Sequence, residues 1–569
     1  MKKQLLLSVT VVVVLIMVAC GGGGTAGGGG AAAADDAVAQ DGGNDAANGA
    51  DVATHDPDSA PVVITAGRIL SANPRLPEGD TQEDNAMVRW IEEQLNIDFQ
   101  IVWLVDGAEF GTRLALSMAA GDLPDMIPLR AQDYLMFLSM VENEMLADLT
   151  EAYDRFAGDY MLQTFASYDF RNLEPFRVDG RLYAIGGGQF AYEHMLTWVR
   201  QDWMDELGLD APQTLDDIAN IVLAFQAAQL SGIDIEGIPI SHGNPVQGYN
   251  SMHNLNAVLY STGGAPRKWV RDENGDIIYG SLLPGMREGL QIAADWYERG
   301  IIDRQFPTRN APGALEAMIV AEQVGLWFGP WWSPYTHPEL IHSNIDAVLT
   351  AHPAPLTADG RFRHSMPAPA GDFVAMNANF PYPELVVQIL NLQYDMHRGL
   401  NEEAFELWRP SLETAVDWPG AFLTQGVNLE FNDAVPVAGL FARYYVETGT
   451  WPTGQRDVTE DIIRWAESAA SWANTGIVDG SNWMDYAARV VGSRVVDSPL
   501  NLPVLPVFSY ATPSMADLWH HLQALEDEMY FRIILGEVGI EAFDEFVDRW
   551  WAEGGEIITA EVRSIVEGN

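Results

Sequence analysis

Motifs of common enzyme chemistry are missing from the 569-residue chain. A nucleotide-binding P-loop requires Gly-Lys-Ser or Gly-Lys-Thr, and Lys268, the only lysine after Lys3, follows Arg267. The metalloprotease pattern HExxH and the nucleophile pattern GxSxG are also absent. The run GGGQFA, from Gly186, formally fits a dinucleotide pattern, but the residues after it predict a strand instead of a phosphate-binding helix N-terminus. We expect no catalytic residues, although 80 acidic residues leave room for a pair of glycosidase carboxylates.

Residue spacing also argues against a metal site or a disulfide. Cys20 is the only cysteine, so neither a disulfide nor a cysteine-based zinc site can form within the chain. His520 and His521 are adjacent and cannot face one metal ion from a helix. The acidic run DENGDIIYG lacks the spacing of a calcium loop, and its Asn274-Gly275 pair indicates a hairpin turn. The sequence predicts no metal and no cofactor.

The N-terminal segment has the pattern of a secretory signal. Residues 1–19 combine a charged start with an apolar stretch that is too short to span a bilayer comfortably. The run MVAC, which ends at Cys20, resembles a bacterial lipobox, in which the cysteine is diacylated and becomes the new N-terminus. Residues 20–60 are mostly Gly, Ala and Asp, with too few apolar side chains to fold. We therefore expect a signal peptide over 1–19, a lipid-anchored linker over 20–60, and a location at the extracytoplasmic face of the cell membrane.

Charge and length restrict the kind of partner. The chain has 31 basic and 80 acidic residues, a net charge of −49, which nucleic acid and anionic lipid surfaces would repel. A chain of 569 residues exceeds one ordinary hydrophobic core, so two lobes are expected. No later apolar run reaches the roughly 18 residues of a membrane-spanning helix. The body is therefore expected to be soluble and to bind no nucleic acid.

Hydrophobic periodicity predicts alternating strands and helices. The body opens with the strand VVIT, followed by a helix with Met87, Trp90 and Leu95 at helical spacing and by the strand FQIVWL. Strand, helix and strand in this order predict a parallel sheet. A further helix is expected to begin at a capping Thr214, and another to end at Gly300. The body is α/β in class.

Several segments in the body share their order with those of a known family. They are MAAGDLPDMI, ENEMLADLTEAYDRFA, RVDGRLYAI, VRQDWMDELGLDAPQTLDDIANIVLAFQ, YERGIIDRQF, GALEAMIVAEQVGLWFGPWW and ILGEVGIEAFDEFVDRWWAEGGEIITAEV. Together they resemble the extracellular solute-binding lipoproteins of carbohydrate ABC importers. The resemblance implies a type II periplasmic-binding-protein fold, with two discontinuous α/β lobes joined by a hinge. One lobe is expected to contain 61–184 and 346–435, and the other 185–345 and 436–569.

The resemblance also implies a function. The protein is expected to be a monomer and no enzyme, to capture a carbohydrate, most simply an oligosaccharide, and to deliver it to the permease subunits of an ABC transporter. Ligands of open α/β sheets bind at the carboxyl ends of the strands, and a cleft between two such lobes encloses a ligand from both sides. Two alternatives remain open. A secreted glycoside hydrolase would need paired acids, and a peptide-binding lipoprotein would use the same fold.

Candidate ligand-binding residues follow from what a sugar requires. An aromatic face covers the C–H side of the ring, and planar polar groups bind its hydroxyls. Trp331, in GPWW, stands where maltose-type members of the superfamily place a stacking tryptophan, whereas Trp327 is expected in the core. Trp332 and Tyr335 are near enough in the chain to extend this aromatic surface, and by similar position Tyr249 is a second aromatic candidate, with Asn250 beside it as a hydrogen-bonding one. Arg130 and Asp133 are candidates from the first lobe, and Gln189 or Glu193 near the lobe crossing could bind hydroxyls.

One segment departs from the family pattern. Members close to the alginate-binding branch carry a calcium-binding loop where this chain reads QLSGIDIEGIPIS. Only Asp234 and Glu236 remain there, too few for the six or more oxygens that calcium takes. No structural calcium ion is therefore expected.

Overall fold

The computed structural model describes residues 54–71, 75–188, 194–242, 245–246, 252–414, 418–453 and 458–567. The predicted signal peptide, Cys20 and most of the predicted linker lie outside the described residues. Of the helices described, none combines the length and apolar character needed to cross a bilayer. The described residues also contain no group of three or more His, Cys, Asp or Glu side chains arranged to hold a metal ion.

The strands are short and lie in several sheets. In chain order they are β1 (Val62–Ile69), β2 (Ile97–Val105), β3 (Met126–Leu129), β4 (Arg177–Val178), β5 (Arg181–Leu182), β6 (Ala184–Gly188), β7 (Leu196–Arg200), β8 (Trp269–Arg271), β9 (Ile277–Tyr279), β10 (Leu326–Gly329), β11 (Leu349–His352), β12 (Phe362–Ser365), β13 (Ala370–Met376) and β14 (Asn501–Val504).

Helices surround these strands. In chain order they are α1 (Ala86–Leu95), α2 (Phe110–Ala120), α3 (Tyr134–Glu142), α4 (Thr150–Phe156), α5 (Asp159–Ala166), α6 (Gln201–Leu207), α7 (Leu215–Ala228), α8 (Asn256–Ser261), α9 (Pro284–Arg299), α10 (Ala314–Val320), α11 (Glu339–Ser343), α12 (Leu385–His397), α13 (Glu402–Thr414), α14 (Ala434–Thr448), α15 (Glu460–Thr475), α16 (Asn482–Asp485), α17 (Ser493–Val496), α18 (Pro513–Ile534), α19 (Ala542–Trp550) and α20 (Glu556–Glu567). The segment Tyr486–Gly492 is π-helical, and Trp551–Gly555 joins α19 to α20 across a kink at Gly554, whose φ is +140°.

The local predictions are confirmed where the sequence carries a capping or turn signal. The Asn85 side chain accepts hydrogen bonds from the first turn of α1, and the Thr214 hydroxyl caps α7. Helix α9 ends at Gly300, which is left-handed with φ +76°. Strands β8 and β9 pair antiparallel across the predicted Asn274-Gly275 turn.

The first lobe is built on a five-stranded sheet of order β2-β1-β3-β13-β6. Strand β1 runs parallel to both β2 and β3, which confirms the predicted parallel sheet. Strand β13 is antiparallel to β3 and β6 and returns to this sheet from much later in the chain. One hydrophobic core covers these strands, and it includes side chains of α1, α3 and α12.

The second lobe contains a three-stranded antiparallel sheet, β10-β7-β11, and a separate parallel pair, β12 and β14. Most of its buried hydrophobic side chains form two cores, and Tyr260, Ala265 and Val270 form a small third cluster. The first core includes residues of α7, α9, α18 and α19, and the second includes Trp198, Trp327 and Trp331. The burial of Trp327 confirms its predicted place in the core.

Strand pairing differs from one predicted lobe limit. The limit at 345/346 would place β11 and β12 in the first lobe, but these strands pair with β7 and β14. The sequence does not mark the point where the chain passes from one lobe to the other, because the short strands within residues 346–365 have a composition similar to that of strands in both lobes. We propose that the chain crosses between the lobes after β6, after β12 and before α14.

Residues 54–60, the last part of the predicted linker, contact the first lobe. The backbone N–H of His55 donates to Glu384 Oε1 at 2.7 Å, and the His55 ring nitrogen Nε2 lies 2.8 Å from the Leu95 carbonyl oxygen. The Asn96 side chain donates to the Ser59 carbonyl oxygen at 2.7 Å. The chain therefore enters the body at the end of α1 and the start of α12.

Candidate functional site

The turn after β10 holds the predicted tryptophan in the second lobe. Trp331 follows the carboxyl end of this strand and is 5% exposed. The neighbouring indoles fix the turn, because Trp198 Nε1 donates to the Pro330 carbonyl oxygen and Trp327 Nε1 donates to Ser333 Oγ, both at 3.1 Å. The expected open indole face is therefore not seen at Trp331, and its role in ligand binding stays a prediction.

A guanidinium group lies against Trp331. The Arg489 Cζ atom is 4.5 Å from the centre of the Trp331 ring and 3.6 Å from the centre of the Trp465 ring. Such cation–π contacts are electrostatically favourable. We call Trp331, Trp465 and Arg489 the tryptophan–arginine cluster. Sequence reasoning singled out neither Trp465 nor Arg489.

The π-helical segment Tyr486–Gly492 brings Arg489 to this place. Its last residue is a glycine for a steric reason, since a Cβ atom on Gly492 would lie 2.6 Å from the Trp331 carbonyl oxygen and 3.0 Å from the Trp198 ring. The segment can therefore approach the turn after β10 closely. Single-turn π-helical segments often occur at functional sites. The hydrophobic periodicity of the sequence does not reveal this segment, because it predicts only regular helices.

The second predicted aromatic residue, Tyr335, holds a buried carboxylate next to the cluster. Its hydroxyl donates to Asp485 Oδ1 at 2.6 Å, and the Ser468 and Ser481 hydroxyls donate to Asp485 Oδ2 at 2.6 and 2.7 Å. Burial raises the pKa of Tyr335, and the Arg489 charge opposes that rise only in part. Tyr335 therefore remains a protonated donor. The third predicted aromatic, Trp332, is half-buried beside the same core.

The tryptophan–arginine cluster includes a residue of α15, a helix that lies close to the end of α12, whose side chains belong to the first-lobe core. Asp461, one turn before Trp465 on α15, accepts a hydrogen bond at 2.9 Å from Arg398, the residue that ends α12 of the first lobe. Arg398 is 9% exposed and also forms an ion pair with Glu430, in the segment before α14. Because Asp461 and Trp465 are four residues apart, they share one helix face. That face is the one turned toward the first lobe.

Burial and the charge of Arg398 have opposite effects on the pKa values of Glu430 and Asp461. Burial raises the pKa of Glu430 even though Arg398 opposes the rise. Burial would also raise the pKa of Asp461, but Arg398 and the Thr459 hydroxyl outweigh it, with a smaller contribution from Arg489, so this pKa is lowered.

Two of the predicted polar residues, Arg130 and Asp133, form an ion pair with each other in the first lobe. Arg130 Nε donates to Asp133 Oδ2 at 2.9 Å, and Arg130 Nη1 donates to the Gly107 carbonyl oxygen at 2.7 Å. Asp133 is 7% exposed and also accepts from the Arg130 backbone N–H at 3.1 Å. This pair follows the carboxyl end of β3, whereas Trp331 lies in the second lobe. Their role in ligand binding stays a prediction.

Four predicted residues, Tyr249, Asn250, Gln189 and Glu193, lie outside the described residues. The chain that follows the first two does contact the turn after Trp331. The Thr336 hydroxyl donates to Met252 Sδ at 3.5 Å, and the His253 backbone N–H donates to the Phe328 carbonyl oxygen at 3.2 Å.

Comparison with known proteins identifies the fold. No protein-family profile matches the chain. The chain is 21% identical over 251 residues to FusA, a fructooligosaccharide ABC transporter substrate-binding protein of Streptococcus pneumoniae, covering 42% of this chain and 45% of FusA. It is 23% identical over 240 residues to lipoprotein LipO of Bacillus subtilis, again covering 42% and 45%. The match therefore spans less than half the length of these two relatives.

A longer match joins the chain to the polygalacturonan/rhamnogalacturonan-binding protein YtcQ of Bacillus subtilis, at 19% identity over 493 residues, 83% of this chain and 86% of YtcQ. Among solved structures, an HMO-binding, ABC-transporter-associated solute-binding protein of Bifidobacterium longum infantis has a TM-score of 0.59 at 12% identity, covering 90% of this chain and 99% of that one. The alginate-binding protein AlgQ2 has a TM-score of 0.53 at 15% identity, covering 89% and 98%. The chain thus has the two-lobed α/β fold of solute-binding proteins, which confirms the predicted fold and resemblance.

Proposed function

We propose that the protein is the substrate-binding component of an ABC importer and captures an oligosaccharide between its two lobes. The observation that supports this most directly is the tryptophan–arginine cluster at the lobe junction, on the fold of solute-binding proteins. An indole face next to hydrogen-bonding groups suits a sugar ring, which has an apolar C–H side and a rim of hydroxyls. The similarity to FusA and YtcQ supports the same ligand class.

Within this site we assign the aromatic contact with the ligand to Trp465 and Trp332, because their side chains are only half-buried. Trp331 lies behind them as the support of Arg489. Asp485 has hydroxyl donors on both oxygens, so it serves to hold Tyr335 and the segment that carries Arg489. Tyr249, Asn250, Gln189, Glu193, Arg130 and Asp133 remain proposed ligand contacts from sequence position.

The same proposal extends to location and partners. Cys20 would carry the lipid that anchors the protein to the cell membrane, and the aspartate-rich linker after it would hold the body away from the surface. A flexible linker of about 40 residues reaches roughly 35 Å. The body would act as a monomer and pass its ligand to permease subunits without changing it chemically.

A thermal-shift screen against neutral and acidic oligosaccharides tests this function. Because a ligand that binds only the folded state stabilises it, a true ligand should raise the melting temperature with increasing concentration. The bound oligosaccharide should then be recovered unchanged by chromatography after prolonged incubation. Turnover that is abolished by a carboxylate substitution and absent from a mock preparation would instead establish the glycoside hydrolase.

A further inference from the structure

Arg489 is partly buried, and its guanidinium lies against two indole rings. Among the described residues, no Asp or Glu oxygen lies within 4.0 Å of its guanidinium nitrogens. Arg200, by contrast, pairs with Asp202 and Glu322, and Arg398 pairs with Glu430 and Asp461. Arg363, which also has no ion pair within the described part of the chain, instead donates to the backbone carbonyl oxygens of Tyr260 and Gly264.

One contact of Arg489 is with the Tyr335 hydroxyl, and its Nε donor has no acceptor among the described residues. The two indoles lie against the guanidinium at 4.5 and 3.6 Å from Cζ to the ring centres. Stacking of this kind uses the faces of the guanidinium, whereas its N–H groups point outward in the plane. Trp331 Nε1 likewise has no acceptor among the described residues.

The carboxylates nearest to this place are already engaged. Asp485 accepts from three hydroxyls, those of Tyr335, Ser468 and Ser481. Asp461 is held by Arg398 at 2.9 Å. Neither acid is therefore positioned to take the in-plane donors of Arg489, and a planar acceptor supplied by a ligand would match them in geometry and charge.

We propose that Arg489 binds a carboxylate of the ligand, so that the captured oligosaccharide contains uronic acid residues. This inference rests on the proposed function, since it assigns the charge of the saccharide that the same site takes. Trp465 would cover a sugar face while Arg489 donates hydrogen bonds to the carboxylate of the same or the adjoining ring. Arg489 is then the residue that selects acidic over neutral saccharides.

The test compares trigalacturonate with its methyl ester, which has the same rings but no charge. Calorimetric titration should show that wild-type protein binds trigalacturonate about tenfold to a hundredfold more tightly than the ester. Arg489→Gln should lose much more affinity for trigalacturonate than for the ester and so remove this preference, and Arg489→Lys should retain part of it. Added salt also screens the repulsion by the net negative charge in both proteins, so it should weaken trigalacturonate binding more, or strengthen it less, in the wild type than in Arg489→Gln.

A matched control and a folding check accompany these variants. Arg494→Gln removes the same charge from an exposed position five residues further along and should leave the preference intact. The melting temperature of each ligand-free variant shows whether a loss of binding reflects loss of folding. If Arg489→Gln unfolds, the conservative Arg489→Lys variant decides the question.

The contrary outcomes separate the two proposals. Equal affinity for the acid and its ester, or an equal loss of both in Arg489→Gln, would overturn the role of Arg489 and leave the carbohydrate function standing. Binding of the neutral trisaccharide kestose alone would do the same. If neither acidic nor neutral oligosaccharides bind to folded wild-type protein, the proposed function itself is wrong.

Discussion

Burial distinguishes the tryptophans that can support the candidate site from those that can contact a ligand. Trp331 is almost completely enclosed, and its ring lies in the second-lobe core with Arg489 against it. Trp465 is half-buried on α15 and contacts the same guanidinium from another element. The two indoles therefore differ in what their removal should cost.

Replacing each tryptophan by alanine should separate stability from binding. Trp331→Ala should destabilise the ligand-free protein by about 3–5 kcal/mol, as is usual for a buried tryptophan. Trp465→Ala should cost much less stability but should weaken binding of the best oligosaccharide by roughly tenfold or more. Melting temperatures and calorimetric titration of both variants provide the measurement. If Trp331→Ala melts like the wild type and Trp465→Ala binds like it, the two roles are assigned the wrong way round.

The sequence indicated part of this site and missed the rest for a physical reason. Trp331, Trp332 and Tyr335 are adjacent in the chain, so one local motif predicts all three. Arg489 and Trp465 reach them only through packing between elements far apart in sequence, and neither has a local pattern that distinguishes it. Asp133 stays a predicted ligand contact, and the structure adds its hydrogen bonds with Arg130.

At the scale of elements, the contact between α12 and α15 joins the lobes through charge. Arg398, at the end of α12, is the common partner of Glu430 and of Asp461 on α15. Removing one member of a buried ion cluster leaves the others desolvated without compensation. The geometry of this junction also determines where Trp465 stands, because α15 carries both Asp461 and Trp465.

Arg398→Met should therefore destabilise the protein by about 3–5 kcal/mol, since Glu430 and Asp461 would remain buried without their cation. Adding Glu430→Gln and Asp461→Asn to this variant should restore part of the loss. Thermal unfolding of the single and triple variants measures both effects. Arg155→Met, which breaks the exposed pair with Glu151, is the control and should change the melting temperature little. An Arg398→Met protein as stable as this control would contradict the stabilising role of the ion pairs between Arg398, Glu430 and Asp461.

Local elements were predictable where their signals are local. Caps, glycine ends and alternating hydrophobic residues determine α1, α7, α9 and the β8–β9 hairpin within a few residues. The position of the second lobe crossing stays a proposal, because the pairing of β11 with β7 and of β12 with β14 depends on contacts between residues far apart in the chain. The π-helical segment at Arg489 likewise departs from the periodicity by which helices are read from sequence.

At the scale of the whole molecule, burial of neutral histidines links stability to pH. Burial lowers the pKa of six histidines. The pKa falls to about 3 at His253, His337 and His397 and to about 4 at His352 and His364, and it is also well below the ordinary value at His194. An unfolded chain would protonate them near the ordinary pKa of about 6.5. Burial raises the pKa of Asp372, Asp395, Glu430 and Glu526, and these acids shift stability in the opposite direction.

A single histidine variant isolates one such contribution. The His194 and His364 rings stack with centroids 3.4 Å apart, next to the proposed lobe crossings after β6 and after β12. The His364 pKa is lowered to about 4, mainly by burial. Between pH 6.5 and about 4 the unfolded chain therefore binds more protons than the folded protein, and His364 contributes stability above this window that is lost as the pH falls, by about 1.4 kcal/mol per pH unit.

His364→Phe keeps an aromatic ring against His194 but cannot bind a proton. Its melting temperature should therefore fall less steeply than that of the wild type as the pH is lowered from 7 to 5, whatever the difference at pH 7. His520→Gln, at an exposed position, should leave the slope unchanged. Thermal unfolding of the three proteins across this pH range supplies the comparison. Because the four acids with raised pKa values are present in all of them, their opposing effect cancels from the difference. Parallel curves for His364→Phe and the wild type would show that His364 accepts a proton in the folded protein as readily as in the unfolded chain.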